Sequence, residues 1–147
     1  MNSELETSRL QLELLKRGYS LEEIEHIYAL GRIYLESGNL RQASLIFDGL
    51  ADIVPTFLPA ALAQSVIALF ERNYSEAMKA AKRALGSNAQ SIEATLLLVI
   101  AMLGLEDYNS AGTYLGEVRE AIEAGTLREK NLVRIYKMLL ARYRTRL

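Results

Sequence analysis

The chain has 147 residues, 50% of them hydrophobic and 24% charged, which fits one folded domain and excludes a disordered or fibrous chain. It has no cysteine, so disulfides and thiolate metal sites are excluded, and no apolar run approaches the roughly 18 residues that span a bilayer. The net charge of −1 hides an asymmetry: seven basic residues (Arg128, Lys130, Arg134, Lys137, Arg142, Arg144 and Arg146) face one acid, Glu129, in the last stretch, leaving −7 elsewhere. Such a basic end is either a solvated helix face suited to the negative end of the helix dipole or a surface for nucleic acid or anionic lipid.

In chain order, Ser3 and Glu6 have capping-box spacing before an amphipathic helix that runs to about Lys16. The polar start from Met1 to Arg9 does not read as a secretory leader, and the expectation is a soluble cytoplasmic protein without membrane insertion. Ser20 with Glu23 opens the next helix. A turn follows at Gly38-Asn39-Leu40-Arg41-Gln42-Ala43, and matching turns lie at Arg72-Asn73-Tyr74-Ser75-Glu76-Ala77 and Glu106-Asp107-Tyr108-Asn109-Ser110-Ala111. Asn39 with Gln42 and Asn73 with Glu76 have the spacing of reciprocal capping boxes, while Asp107 caps alone. Thr126 with Glu129 opens a last helix with Leu132, Ile135, Tyr136, Leu139, Leu140 and Tyr143 on one side. The count is eight helices in an all-α fold.

Ala43, Ala77 and Ala111 are 34 and 34 residues apart, the tetratricopeptide period. Each alanine falls in the first turns of the second helix of a pair, where close approach leaves no room for a larger side chain. The segment 24–57 resembles the tetratricopeptide family in its residues as well: Leu30-Gly31, Tyr34, Ala43, Phe47 and Pro55 match, while Leu50 replaces an alanine. Repeats 58–91 and 92–125 keep the turn and its alanine, but Ser65 and Val99 replace the packing glycine. The expected layout is a single domain: an N-terminal flanking helix in 1–23, three repeats in 24–125 and a C-terminal capping helix in 126–147.

Catalysis is not expected. His26 is the only histidine, no cluster has metal-ligand spacing, and no glycine-rich phosphate loop is present. The resemblance instead implies a concave surface lined by the first helix of each pair. Positions 2, 5, 9, 12 and 13 of each repeat share one helix face. They read Glu25, Tyr28, Arg32, Leu35 and Glu36, then Pro59, Leu62, Val66, Leu69 and Phe70, then Glu93, Leu96, Ile100, Leu103 and Gly104. Only Arg32 suits the clamp by which some family members hold acidic chaperone tails; the face is mainly apolar. The helix from Ile92 to Leu105 carries Leu96, Leu97, Leu98, Val99, Ile100, Met102 and Leu103 all round, and such a helix needs cover on every side. The flanking helices, a second copy in a homodimer, or a partner segment are the three candidate covers.

Around the first repeat, Ile27-Tyr28-Ala29-Leu30, Tyr34, Ser37-Gly38, Ala43, Phe47 and Leu50 resemble the small tetratricopeptide chaperones of bacterial type III secretion systems. That resemblance implies a bacterial cytoplasmic chaperone, without cofactor or metal, that keeps a hydrophobic secreted subunit (a translocator or needle protein) soluble before export, with a small co-chaperone as a further partner. The client-binding candidates are Tyr28, Arg32, Leu35, Leu62, Val66, Leu69, Phe70, Leu96, Ile100 and Leu103. The competing readings are a tetratricopeptide scaffold in another assembly and, more remotely, a nucleic-acid or membrane-surface binder using the basic last helix.

Overall fold

A computed structural model describes residues 17–146. Among the described residues there are seven α-helices and no strand: α1 (Leu21–Glu36), α2 (Leu40–Ile53), α3 (Leu58–Phe70), α4 (Tyr74–Ser87), α5 (Ile92–Gly104), α6 (Tyr108–Glu123) and α7 (Lys130–Arg144). The eighth expected helix, with its Ser3–Glu6 cap, lies outside the described residues. The chain divides into two compact units, Met1–Ala60 and Ala61–Leu147.

The hairpin corners explain the 34-residue period. At each one the first helix ends in a left-handed residue: Gly38 at φ 81°, Arg72 at φ 58° and Glu106 at φ 60°. The amide of the following residue then reaches back five positions, Asn39 to the Tyr34 carbonyl (2.9 Å), Asn73 to Ala68 (2.8 Å) and Asp107 to Met102 (2.9 Å). This is the Schellman closure of a helix C-terminus. The same Asn39, Asn73 and Asp107 side chains accept from the Gln42, Glu76 and Ser110 amides at 3.3 Å, capping the next helix. One residue thus ends one helix and starts the other. Only this half of the expected reciprocal boxes forms; the Glu76 carboxylate pairs with Lys79 instead, at 3.2 Å.

Of these three corners only the first has glycine, Gly38, in the left-handed position, where an L-side chain costs roughly 1–2 kcal/mol. Arg72→Gly and Glu106→Gly are each expected to stabilise the 61–147 unit by about 0.5–1 kcal/mol, the strain relief being offset in part by the freer unfolded chain. Urea unfolding followed by circular dichroism checks this, and a loss of stability in both variants would refute it.

In the first unit α1 packs against α2 around Ile24, Ala43, Phe47 and Leu50, all fully buried. Gly31 permits the close approach: a β-carbon there would lie 2.8 Å from two carbons of the Phe47 ring and 3.0 Å from Ile46. Arg17 donates to the Ile53 carbonyl at the end of α2.

In the second unit α4 packs on α5, α5 on α6, and α7 on both α5 and α6. The core gathers Leu96, Leu98, Val99, Met102 and Leu103 of α5 with Ala111, Leu115 and Val118 of α6 and Tyr136 and Leu139 of α7. Ser65, at the packing-glycine position of α3, is fully buried and donates from Oγ to the Ala77 carbonyl of α4 at 2.9 Å. Its hydroxyl is therefore satisfied in the core. Ser91 caps α5, accepting from the Ala94 amide at 3.2 Å.

The last helix departs from the sequence expectation. It begins at Lys130, with Glu129 as an N-cap that makes no side-chain capping bond. Thr126 is engaged elsewhere: its amide and its Oγ1 both donate to the Ala121 carbonyl at 3.0 Å, closing α6 beside the left-handed Gly125. A residue committed to ending α6 is not available to open α7 four positions later. Ile135, placed on the apolar stripe from sequence, is 37% exposed, while Tyr136 and Leu139 are buried.

Candidate partner-binding face

The side chains expected to form an open apolar face differ widely in accessibility. On α1, Tyr28 is half-buried, its ring 5.7 Å from Phe47 and 5.7 Å edge-on from Phe57, so it serves the packing of its own unit. Arg32 is exposed and holds Glu36 at 2.9 Å one turn on, an exposed pair of small energetic weight. Leu35 is half-buried.

On α3, Leu62, Val66 and Leu69 are half-buried, and Phe70 at the helix end is 68% exposed. On α5 the corresponding side chains are more deeply placed. Leu96 and Leu103 are only 2% and 3% exposed, in the cluster that α7 completes with Tyr136 and Leu139, and neither is open to a partner. Ile100 is half-buried beside them. At the end of α5 the Tyr74 ring lies against Gly104, where a β-carbon would come within 2.5 Å of it. The cover that an all-round apolar helix requires is thus supplied, for α5, by the chain itself: α4 and α6 on its flanks and the amphipathic α7.

The 34-residue register also runs one step further than the three repeats. Adding 34 to Leu96, Ile100 and Leu103 gives Lys130, Arg134 and Lys137, and Met138 follows Phe70 and Gly104 at position 13. The positions that are apolar on α3 and α5 are therefore cationic on α7. Lys130, Arg134 and Lys137 are exposed and, with Arg128 and Val133, line a shallow concavity. Met138 beside them is 66% exposed. The same register is carried by the sequence itself, one step beyond the last of the three repeats.

Little else in the described residues carries chemistry. His26 is exposed, its Nε2 4.0 Å from a Glu22 carboxylate oxygen. The hydrogen bond and the charge of Glu123, which Arg119 holds at 2.9 Å, raise the Arg119 pKa above its ordinary value. No group of three His, Cys, Asp or Glu side chains among the described residues is placed to hold a metal ion. None of the described helices is long and apolar enough to cross a membrane.

No protein-family model matches the chain, and no curated protein does. Among solved structures it is similar to the MamA RS-1 ArsTM double mutant, a tetratricopeptide-like protein, at 14% sequence identity and a TM-score of 0.62. The match covers 95% of this chain and 93% of that one. At that identity the likeness speaks to fold alone. With the three Schellman corners at equal spacing, it makes the chain an all-helical array of the tetratricopeptide type.

Proposed function

We propose that this chain binds a hydrophobic segment of a protein partner on the exposed face of α3, and that the partner is a secreted translocator or needle subunit held soluble in the bacterial cytoplasm before type III export. The observation that carries the binding role is Phe70, 68% exposed next to the half-buried Leu62, Val66 and Leu69. Burying an apolar side chain completely contributes roughly 1.5–3 kcal/mol, so the exposed part of four adjacent side chains is enough to anchor a segment once its ordering cost is offset. The choice of client rests on the sequence resemblance around the first repeat. On this reading the chain is a carrier with no catalytic role and no cofactor.

The test is co-expression with a translocator or needle subunit and measurement of soluble client. Val66→Asp with Phe70→Asp places two carboxylates on the face without touching a fully buried position. The double variant is expected to lower soluble client about tenfold or more, one interfacial charge without a partner costing about 2 kcal/mol or above. Its helical circular dichroism is expected to match the parent. Unchanged solubilisation would remove α3 as the client surface. Solubilisation of unrelated apolar partners with equal efficiency would favour a scaffold in another assembly. Dimerisation abolished by the same changes would identify a second copy as the occupant.

A further inference from the structure

The cationic step of the register on α7 is a feature that client binding on α3 does not use. Lys130, Arg134 and Lys137 repeat at the spacing of one helix face and line the concavity together with Arg128, just before the helix, and Val133. Arg128 spends one donor on the Gly125 carbonyl at 3.1 Å. Among the described residues none of these four side chains pairs with a carboxylate, although acids elsewhere on the chain do find partners, as Glu36, Glu76 and Glu123 show. The amino end of α7 adds to the same field, because Glu129 caps it without a side-chain bond and leaves its first amides free of a side-chain acceptor.

We propose that this concavity is the docking site for a short acidic segment of a protein partner. Charge complementarity sets the sign of the ligand, and size sets its class. From Lys130 to Lys137 the cations span about 10 Å of helix axis, the length of about three extended residues. An extended polyanion such as RNA, or an anionic membrane, would also meet the −7 carried by the rest of the chain. A short acidic segment sits within one Debye length, about 8 Å, of the four cations and is screened from much of that repulsion. Val133, which also lines the concavity, gives the segment an apolar contact among the cations. The inference extends the client-binding reading, since a partner whose apolar stretch is followed by an acidic one would engage α3 and α7 by different chemistry. It does not depend on the identity of that client.

The experiment is fluorescence anisotropy of a labelled peptide of four glutamates flanked by glycines, titrated with the full chain. Binding is expected at low salt and should weaken about fivefold or more between about 50 and about 200 mM salt, as exposed charge pairs are screened. Arg134→Glu with Lys137→Glu is expected to weaken it about tenfold or more, while Lys79→Glu with Lys82→Glu on α4 changes it less than about twofold. The probe has no apolar side chain, so Val66→Ala with Phe70→Ala, which removes apolar bulk from α3 without adding charge, changes its binding less than about twofold, and the two proposals fail separately. Equal losses in the α4 and α7 variants, or no binding at low salt, would overturn the assignment. So would tighter binding of single-stranded oligothymidylate or of phosphatidylserine vesicles than of the peptide.

Discussion

Leu96→Asp is expected to unfold the 61–147 unit. In the structure Leu96 is 2% exposed, within a cluster that draws on α5, α6 and α7. The change removes a buried aliphatic side chain, worth roughly 1.5–3 kcal/mol in burial alone. It also places a carboxylate where it has no partner, which adds several kcal/mol more. The sum is comparable with the about 5–15 kcal/mol that holds a typical domain together. Thermal and urea unfolding monitored by circular dichroism should show the cooperative transition of this unit lost or shifted below the parent by most of its stability. Val66→Asp, at a half-buried position on α3, should lose no more than about 1–2 kcal/mol in the same assay. Were Leu96→Asp to melt like the parent, the packing of α7 over α5 would not exist in solution. Leu96 would then be a partner-facing residue, as its register position suggests.

A second large effect is expected in the first unit. Phe47 is fully buried, and Phe47→Ala should cost about 3–5 kcal/mol, the usual range for emptying an aromatic core site. The informative measurement couples it to Gly31. A β-carbon at Gly31 would stand 2.8 Å from the Phe47 ring, and that ring cannot easily withdraw because the Tyr28 ring lies against it at 5.7 Å. Gly31→Ala alone should therefore cost about 1–3 kcal/mol by overpacking. In the Phe47→Ala background the added methyl meets empty space, and its cost should vanish or turn slightly favourable. A double-mutant cycle should then report a coupling of about 1–3 kcal/mol. Additive costs would mean that something other than the aromatic ring demands glycine at position 31.

The period, the corners and the all-helical class were legible because they depend on local chemistry: an alanine that fits a close approach, an Asn or Asp that caps, and a glycine that turns left-handed at Gly38. Arg72 and Glu106 take the same left-handed conformation with no hint in their own identities. There the backbone is set by the two helices it joins, and local preference is overridden. Accessibility was not legible: Leu62, Val66, Leu69 and Phe70 of α3 remain at least partly open, whereas Leu96 and Leu103 of α5 are buried. Helical spacing says which residues share a side, whereas accessibility depends on what lies over that side, and α7 lies over α5. Thr126 shows the same limit at the scale of one hydroxyl: its spacing to Glu129 suits a cap, yet the end of α6 takes it first.

The shared corner residue has a consequence for where this chain can be lengthened. Asn39, Asn73 and Asp107 each close one helix and open the next, so these corners contain no spare link. One extra residue there would turn the following helix by about 100° and swing its apolar side away from its mate. The links between hairpins, from Val54 to Phe57 and from Asn88 to Ser91, bear no such double duty. Tags, reporter insertions or new chain termini belong at those links, and a duplication cut there would add a hairpin whole.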